Sequence, residues 1–273
     1  MKKILLTFDG RHFSRGAFEF ANGLNKLQPI LLTGVFVPQI DYANLWSYAS
    51  AAGGPTFIPL LEDEDSESVQ QNIERFKNLC KLHHIEYRVH KDYYDFALPE
   101  LKRETRYADL AILSSENFYR HVGIGTPNEY LKEALHSAEC PIVVVPEKYD
   151  FPKTNILAFD GSESSVFAIK QFVYLFPELC KNETLLVYAD DKEEDVPERI
   201  SIEELAARHF SNLTLMKLDV DPKNYFASWI SERKSAILVS GAFGRSSLSQ
   251  SFKKSFVSDI IRDHRLPIFI THR

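Results

Sequence analysis

The residues best suited to chemistry in this chain of 273 residues lie in two short stretches of its second half. One is Asp160, which follows an apolar run, and the other is the stretch 240–255, which contains Gly241 and Gly244. Glycines let backbone amides approach phosphate oxygens, and the start of a following helix adds free amides and a positive dipole end. Basic residues accompany this stretch, namely Arg245, Lys253, Lys254 and Arg262. These residue types predict a site for an anion.

Asp160 has two interpretations that the sequence leaves open. Aspartate is a favoured residue for capping the turn into a helix, and Asp9 holds the equivalent place in the first half of the chain. At the carboxyl end of a strand, the same side chain could instead contact a ligand.

Signatures of catalysis are missing from the sequence. It contains neither a GxSxG elbow nor a Walker A loop, so its serines have no predicted base or phosphate cradle of those kinds. His83, His84 and His90 lie close together without a metal-binding pattern. We therefore expect no catalytic residue and no metal site, with slow ATP hydrolysis as the least favoured alternative.

The elements that must position the anion site occur twice. Three pairs of segments carry the repeat: 4–10 with 155–161, 111–115 with 237–241, and 140–144 with 266–270. Short apolar runs without alternation are typical of parallel strands covered on both faces, and helical periodicities lie between them. Each copy is predicted to be a doubly wound α/β unit with a five-stranded parallel sheet.

Particular residues predict the helices. Apolar side chains recur at helical spacing in three groups: Ala17, Phe20, Ala21 and Leu24; Val69, Ile73, Phe76 and Cys80; Val166, Ile169, Val173 and Phe176. A capping box formed by Ser201 and Glu204 predicts the start of a further helix.

The repeat divides the chain into domains 1–150 and 151–273, linked near 146–152. The copies are offset by 151 residues at the first pair of segments and by 126 at the other two, which predicts an insertion at about 38–66 in domain 1, as a loop or lid. The apolar last strands, 142–145 and 268–270, would each expose an unpaired edge. We predict that they pair antiparallel across a pseudo-twofold axis, as an intrachain pseudo-dimer.

Several of these features together resemble the universal stress protein family, in a tandem form. They are the FDGS turn after the first strand of copy two, the spacing of Gly241 and Gly244, a nine-residue gap, Ser255 opening the last helix, and a final strand led by proline. The resemblance implies a fold similar to the adenine-nucleotide α-hydrolase group. Nucleotide-binding members of the family carry G-x2-G-x9-G-(S/T), and this chain has Lys254 where the third glycine is expected.

The resemblance also implies a site in copy two for ATP or another adenine nucleotide. Its residues are Ala158, Phe159 and Asp160 on the adenosine side, Tyr188 facing the base, and Ser240, Gly241, Gly244, Lys254, Ser255 and Phe256 along the phosphate loop. Lys254 either crowds the phosphates or supplies a contact to them through its ammonium group. In copy one the equivalents are Ser115, Phe118, Asn128 and Glu129, which retain none of the pattern.

Composition limits the function classes. The net charge is −6 and no basic stripe appears, so nucleic acid is not an expected partner. No apolar run approaches the length of about 20 residues that spans a bilayer, and no signal peptide is apparent. We therefore expect a cytoplasmic protein without membrane contact. Cys80, Cys140 and Cys180 lie far apart and are expected to be buried free thiols.

Two functional hypotheses from different classes follow. The first is a stress-response sensor or adaptor that works by binding an adenine nucleotide or another anion in copy two, with protein partners that the sequence does not identify. The alternative is a structural or interaction module that has lost nucleotide binding. Lys254 and the absence of the phosphate pattern from the sequence of copy one favour this alternative.

Overall fold

Among the described residues, one ten-stranded sheet joins the two copies. The computed structural model describes residues 1–8, 12–36, 63–91, 97–116, 134–190, 195–219, 227–241 and 265–271. Copy one contributes β1 (Lys2–Phe8), β2 (Ile30–Phe36), β3 (Glu86–Lys91), β4 (Leu110–Ser114) and β5 (Ile142–Val145). Copy two contributes β6 (Thr154–Phe159), β7 (Glu183–Ala189), β8 (Asn212–Leu218), β9 (Ala236–Gly241) and β10 (Ile268–Thr271).

The strand order is β3-β2-β1-β4-β5-β10-β9-β6-β7-β8. Within each copy every pairing is parallel, whereas β5 and β10 pair antiparallel, with Val143 opposite Phe269. The predicted fold class, two doubly wound five-stranded units, is therefore confirmed. The antiparallel pairing of the last strands is also the arrangement predicted from their exposed edges.

Helices cover both faces of the sheet. They are α1 (Arg15–Leu27), α2 (Asp63–Leu82), α3 (Ala97–Arg106), α4 (Glu163–Leu175), α5 (Arg199–His209) and α6 (Ala227–Ser231), with a 3₁₀ turn at Leu179–Lys181. Side chains of α1, α2, α4 and α5 pack into one continuous apolar cluster, and α6 packs into a second cluster on the opposite face. The apolar residues predicted at helical spacing belong to α1, α2 and α4, with Phe176 directly after α4, and all lie in or against the first cluster.

Helix starts follow local chemistry in two cases and depart from it in one. Ser14 caps α1 by accepting from the Ala17 amide at 3.1 Å, and Ser162 caps α4. The predicted capping box at Ser201 is wrong, because α5 begins at Arg199 and Ser201 lies inside it. Arg199 bonds Asp195 at 3.2 Å and Glu203 at 3.1 Å, one turn away on each side, which supports the earlier start.

The extra length of copy one lies between β2 and β3. Phe36 and Tyr188 hold equivalent positions beside the last residues of β1 and β6, an offset of 152 residues, and Glu86 and Asn212 are equivalent at an offset of 126. The segment 38–62 of the predicted insertion lies outside the described residues. Residues 63–66 are the first turn of α2.

The three cysteines are buried free thiols. Burial raises the pKa of each thiol to about 12. Because the thiolate is the reactive form of cysteine, these positions suit packing rather than chemistry.

Candidate functional site

The strand order of copy two reverses between β6 and β9, and ligands of such sheets bind at the carboxyl ends of the strands near this point. Gly241 ends β9 directly against the first turn of α4. A Cβ atom at Gly241 would lie 2.5 Å from the carbonyl carbon of Ser164 and 2.7 Å from the amide nitrogen of Ser165. Close packing of helix against strand is thus sufficient to require glycine here, whether or not a phosphate binds.

The turn between β6 and α4 is fixed by its own side chains. Gly161 has a φ of +78°, a conformation that favours glycine. Asp160 accepts a hydrogen bond from the Ser162 amide at 2.9 Å, and the Ser162 hydroxyl accepts from the Ser165 amide at 3.2 Å. The hydrogen bond from the Ser162 amide therefore supports a turn-stabilising role for Asp160. Because Asp160 is exposed at the carboxyl end of β6, a ligand role stays a prediction.

Two substitutions separate these roles of Asp160. Asp160→Ala should lower the free energy of unfolding by about 1 kcal/mol, because the Ser162 amide loses its acceptor. Asp160→Asn should leave stability nearly unchanged, since an amide oxygen can accept the same bond. Urea unfolding of both variants measures this, and equal stability of the alanine variant and the native chain would contradict the turn role. If Asp160→Asn keeps its stability but loses ligand binding, the ligand is contacted through the carboxylate charge.

The residues predicted to surround an adenosine lie on both faces of the sheet. Phe159 and Tyr188 belong to the apolar cluster beneath α4 and α5, with 4% and 7% of their surfaces exposed. Ala158 packs against the cluster on the opposite face. Ser240 is buried beside Gly241, to whose carbonyl oxygen it donates at 3.2 Å. Asp160, Ser240 and Gly241 therefore lie together at the carboxyl ends of the neighbouring strands β6 and β9. The Tyr188 ring instead lies in the core.

The rest of the predicted phosphate loop, Gly244, Lys254, Ser255 and Phe256, lies outside the described residues. The same holds for Asp9 and for the copy-one equivalents Phe118, Asn128 and Glu129.

Copy one fills its strand ends with aromatic rings. Phe13 stacks on Phe8, the last residue of β1, with ring centroids 5.0 Å apart, and Phe8 stacks on Phe36 at 4.6 Å. The Arg75 guanidinium lies 4.5 Å above the Phe13 ring. Phe13 lies in a turn that is three residues longer than the turn between β6 and α4, measured from the aspartate to the capping serine.

Two carboxylates in copy one were not identified by sequence reasoning. Glu147 accepts a hydrogen bond from the Gly16 amide in the first turn of α1 at 3.0 Å. Glu116, which follows β4, accepts from the Glu147 amide at 2.8 Å. The repeat shows only that the copies differ here, since the offset of 126 pairs Glu116 with Ala242 and Glu147 with Arg273, and it does not indicate the hydrogen bonds that the two carboxylates make.

Metal binding and membrane insertion each require features that can be sought in the described ranges. Within them, no group of three His, Cys, Asp or Glu side chains is arranged to hold a metal ion. His90 instead lies 2.7 Å from the Glu104 carboxylate. No helix among the described residues combines the length and the apolar character that crossing a membrane requires.

Comparison with known proteins identifies the fold. No family model and no curated protein matches the sequence. The crystal structure of a universal stress protein from Archaeoglobus fulgidus DSM 4304 aligns with a TM-score of 0.73 and 14% identity, covering 100% of this chain and 96% of that chain. A putative universal stress protein from Pseudomonas aeruginosa UCBPP-PA14 aligns with a TM-score of 0.53 and 11% identity, covering 100% and 93%. The resemblance drawn from the sequence is thus confirmed at the level of the fold, over the full length of this chain.

Proposed function

We propose that this chain works by binding rather than by catalysis, and that an adenine nucleotide or another anion binds at the strand ends of copy two. The contact between Gly241 and the Ser164–Ser165 backbone carries the proposal. It places Gly241, the last described residue before the segment 242–255, beside the first turn of α4. Amides at a helix start have no partner within the helix, and they lie at the positive end of its dipole.

Charge and position support the same site. The segment that leaves Gly241 contains Arg245, Lys253 and Lys254, which would favour an anion. In copy one, by contrast, Glu147 already accepts from the first turn of α1. The proposal is therefore a single anion site, in copy two.

The wider role that we propose is that of a cytoplasmic sensor or adaptor in a stress response. The support is the universal-stress fold together with the lack of recognisable catalytic signatures in the sequence. Protein partners, rather than nucleic acid, would recognise the chain when the nucleotide or anion is bound.

Calorimetric titration with ATP, ADP, AMP and inorganic phosphate tests the site, alongside glycine-labelled NMR. Ser-Gly occurs once in the chain, at 240–241, so ¹³C-carbonyl serine with ¹⁵N-glycine gives one signal for the Gly241 amide. We expect saturable binding and a saturable shift of that signal. No binding and no shift in the native protein would reject the proposal and favour the interaction module.

Lys254→Gly tests how the lysine at the position of the third glycine affects ligand affinity. Tighter binding in this variant would show that the lysine crowds the loop, and weaker binding would show that its ammonium contacts the ligand. A phosphate-release assay on the same samples tests for turnover, of which we expect none.

A further inference from the structure

We propose that two molecules of this chain associate through strand β8, which pairs antiparallel with β8 of the second molecule about a twofold axis. The two sheets then form one continuous sheet. This inference goes beyond the proposed function, and it holds whether or not copy two binds a nucleotide.

Strand β8 forms one edge of the sheet. In the part of the chain that the structure describes, β7 is its only neighbouring strand. The register is continuous from Glu183 opposite Asn212 to Ala189 opposite Leu218, so no bulge interrupts the edge. An edge of this kind presents backbone amides and carbonyls that can pair with another strand.

One hydrogen bond determines which backbone groups of β8 face outward. The Leu218 carbonyl oxygen accepts at 3.1 Å from the amide of Asp190, the residue after β7, so the backbone groups of Leu218 face β7. The amide and carbonyl of one residue lie on the same side of a strand, and the side alternates from one residue to the next. Leu213, Leu215 and Lys217 therefore direct their amides and carbonyls to the open edge.

The outward groups of two β8 strands match when the strands overlap over all seven residues. Leu215 then lies opposite Leu215 of the second molecule, and Leu213 lies opposite Lys217. In an antiparallel ladder, residues that face each other in this way exchange two hydrogen bonds. The same surface on both molecules is therefore self-complementary, as an interface with twofold symmetry requires.

The charges of β8 permit this pairing. Lys217 is the one charged residue among the seven of β8, and in the full overlap it lies opposite Leu213, so no like charges face each other directly. By contrast, the other edge strand, β3, contains Glu86, Arg88 and Lys91 among its six residues. Charged side chains are a common protection of sheet edges, and β8 is the edge with less of it.

The leucines at this edge are only partly buried. Leu213 and Leu215 pack against the first apolar cluster together with Leu205 of α5, and all three keep part of their surface exposed. Because the twofold axis is perpendicular to the sheet, the second molecule brings its own Leu213 and Leu215 to the same face. Pairing removes this apolar surface from water, which favours a second molecule over a polar segment as the occupant.

Sedimentation equilibrium of the full chain over a range of concentrations tests the association. We expect a reversible equilibrium between monomer and dimer. A native chain that stays monomeric up to its solubility limit would overturn the inference. Growth beyond a dimer would overturn it as well, since pairing of β8 with β3 of the next molecule produces open assemblies rather than closed dimers.

Charge variants at Leu215 test where the twofold axis lies. Leu215→Lys and Leu215→Glu each place two like charges directly opposite each other. We expect each variant alone to dimerise at least about tenfold more weakly than the native chain, and an equimolar mixture to recover the dimer. Tyr174→Lys is the control, because this exposed residue lies on α4, and it should dimerise like the native chain. Native-like dimerisation of either Leu215 variant alone, or no recovery in the mixture of the two folded variants, contradicts the pairing.

A cysteine cross-link keeps the test decisive if a charged variant fails to fold. Paired residues of an antiparallel ladder have Cα atoms about 5.5 Å apart, within the range of a disulfide. With diamide as oxidant, Leu215→Cys should form a covalent dimer, while Asn212→Cys should not, because residue 212 lies opposite residue 218. The native cysteines are buried. Equal cross-linking of the two variants, or none in Leu215→Cys, rejects the inference.

Discussion

Gly241→Ala is expected to lower the free energy of unfolding by about 3 kcal/mol, near the upper end of the usual cost of overpacking a well-packed site. Its Cβ atom would lie 2.5 Å from the Ser164 carbonyl carbon and 2.6 Å from the carbonyl oxygen. The obstacle is helix backbone, which cannot move aside as a flexible side chain could. Either the first turn of α4 or the end of β9 must therefore shift.

Urea unfolding at neutral pH measures this effect. Ser164→Ala is the matched control, because it removes a side-chain oxygen at the same place without adding an atom against backbone, and it should stay within about 0.5 kcal/mol of the native protein. An unchanged urea midpoint for Gly241→Ala would show that the two elements are not in contact. If the predicted loss is found, weaker nucleotide binding by a Gly241 variant cannot by itself identify a phosphate contact.

The sequence was sufficient for the sheet and for helices α1, α2 and α4 because their signals are local. Apolar runs covered on both faces and helical spacing in α1, α2 and α4 depend on neighbours within a few residues. The pairing of β5 with β10 followed from a second local fact, that each last strand is apolar and would otherwise expose an unpaired edge. Such patterns survive in a chain that shares 14% identity with a protein of the same fold.

The candidate site was less predictable because its contacts join distant parts of the chain. Glu147 and Gly16 are 131 positions apart, and nothing near either residue indicates their hydrogen bond. Gly241 suggested a phosphate loop by its spacing from Gly244, yet its close contact is with Ser164 on another element. Tyr188 was expected to face the base of a nucleotide, but it lies near the end of β7, where alternation along the strand directs its ring into the core.

Phe269→Ala is expected to have the largest effect on stability, a loss of about 3–5 kcal/mol. Phe269 is fully buried in β10, opposite Val143 of β5, and its ring lies 5.5 Å from Phe172 and 5.8 Å from Phe176. Truncation would remove these ring contacts and leave a cavity where the two copies meet. Tyr174→Ala is the control, because this ring on α4 is 62% exposed and its loss should cost less than about 0.5 kcal/mol.

Calorimetry of the same variants also reports on how the copies are joined. The apolar cluster around Phe269 continues through Val143 and Val145 into copy one, and the sheet continues across β5 and β10. Unfolding copy two alone would expose the edge of β5 and part of that cluster to water, which is unfavourable for copy one. We therefore expect the native protein and Phe269→Ala each to unfold in a single transition, with the variant at lower temperature. Two separate transitions, with only one of them lowered by Phe269→Ala, would show that the copies are stable independently and that the junction contributes little.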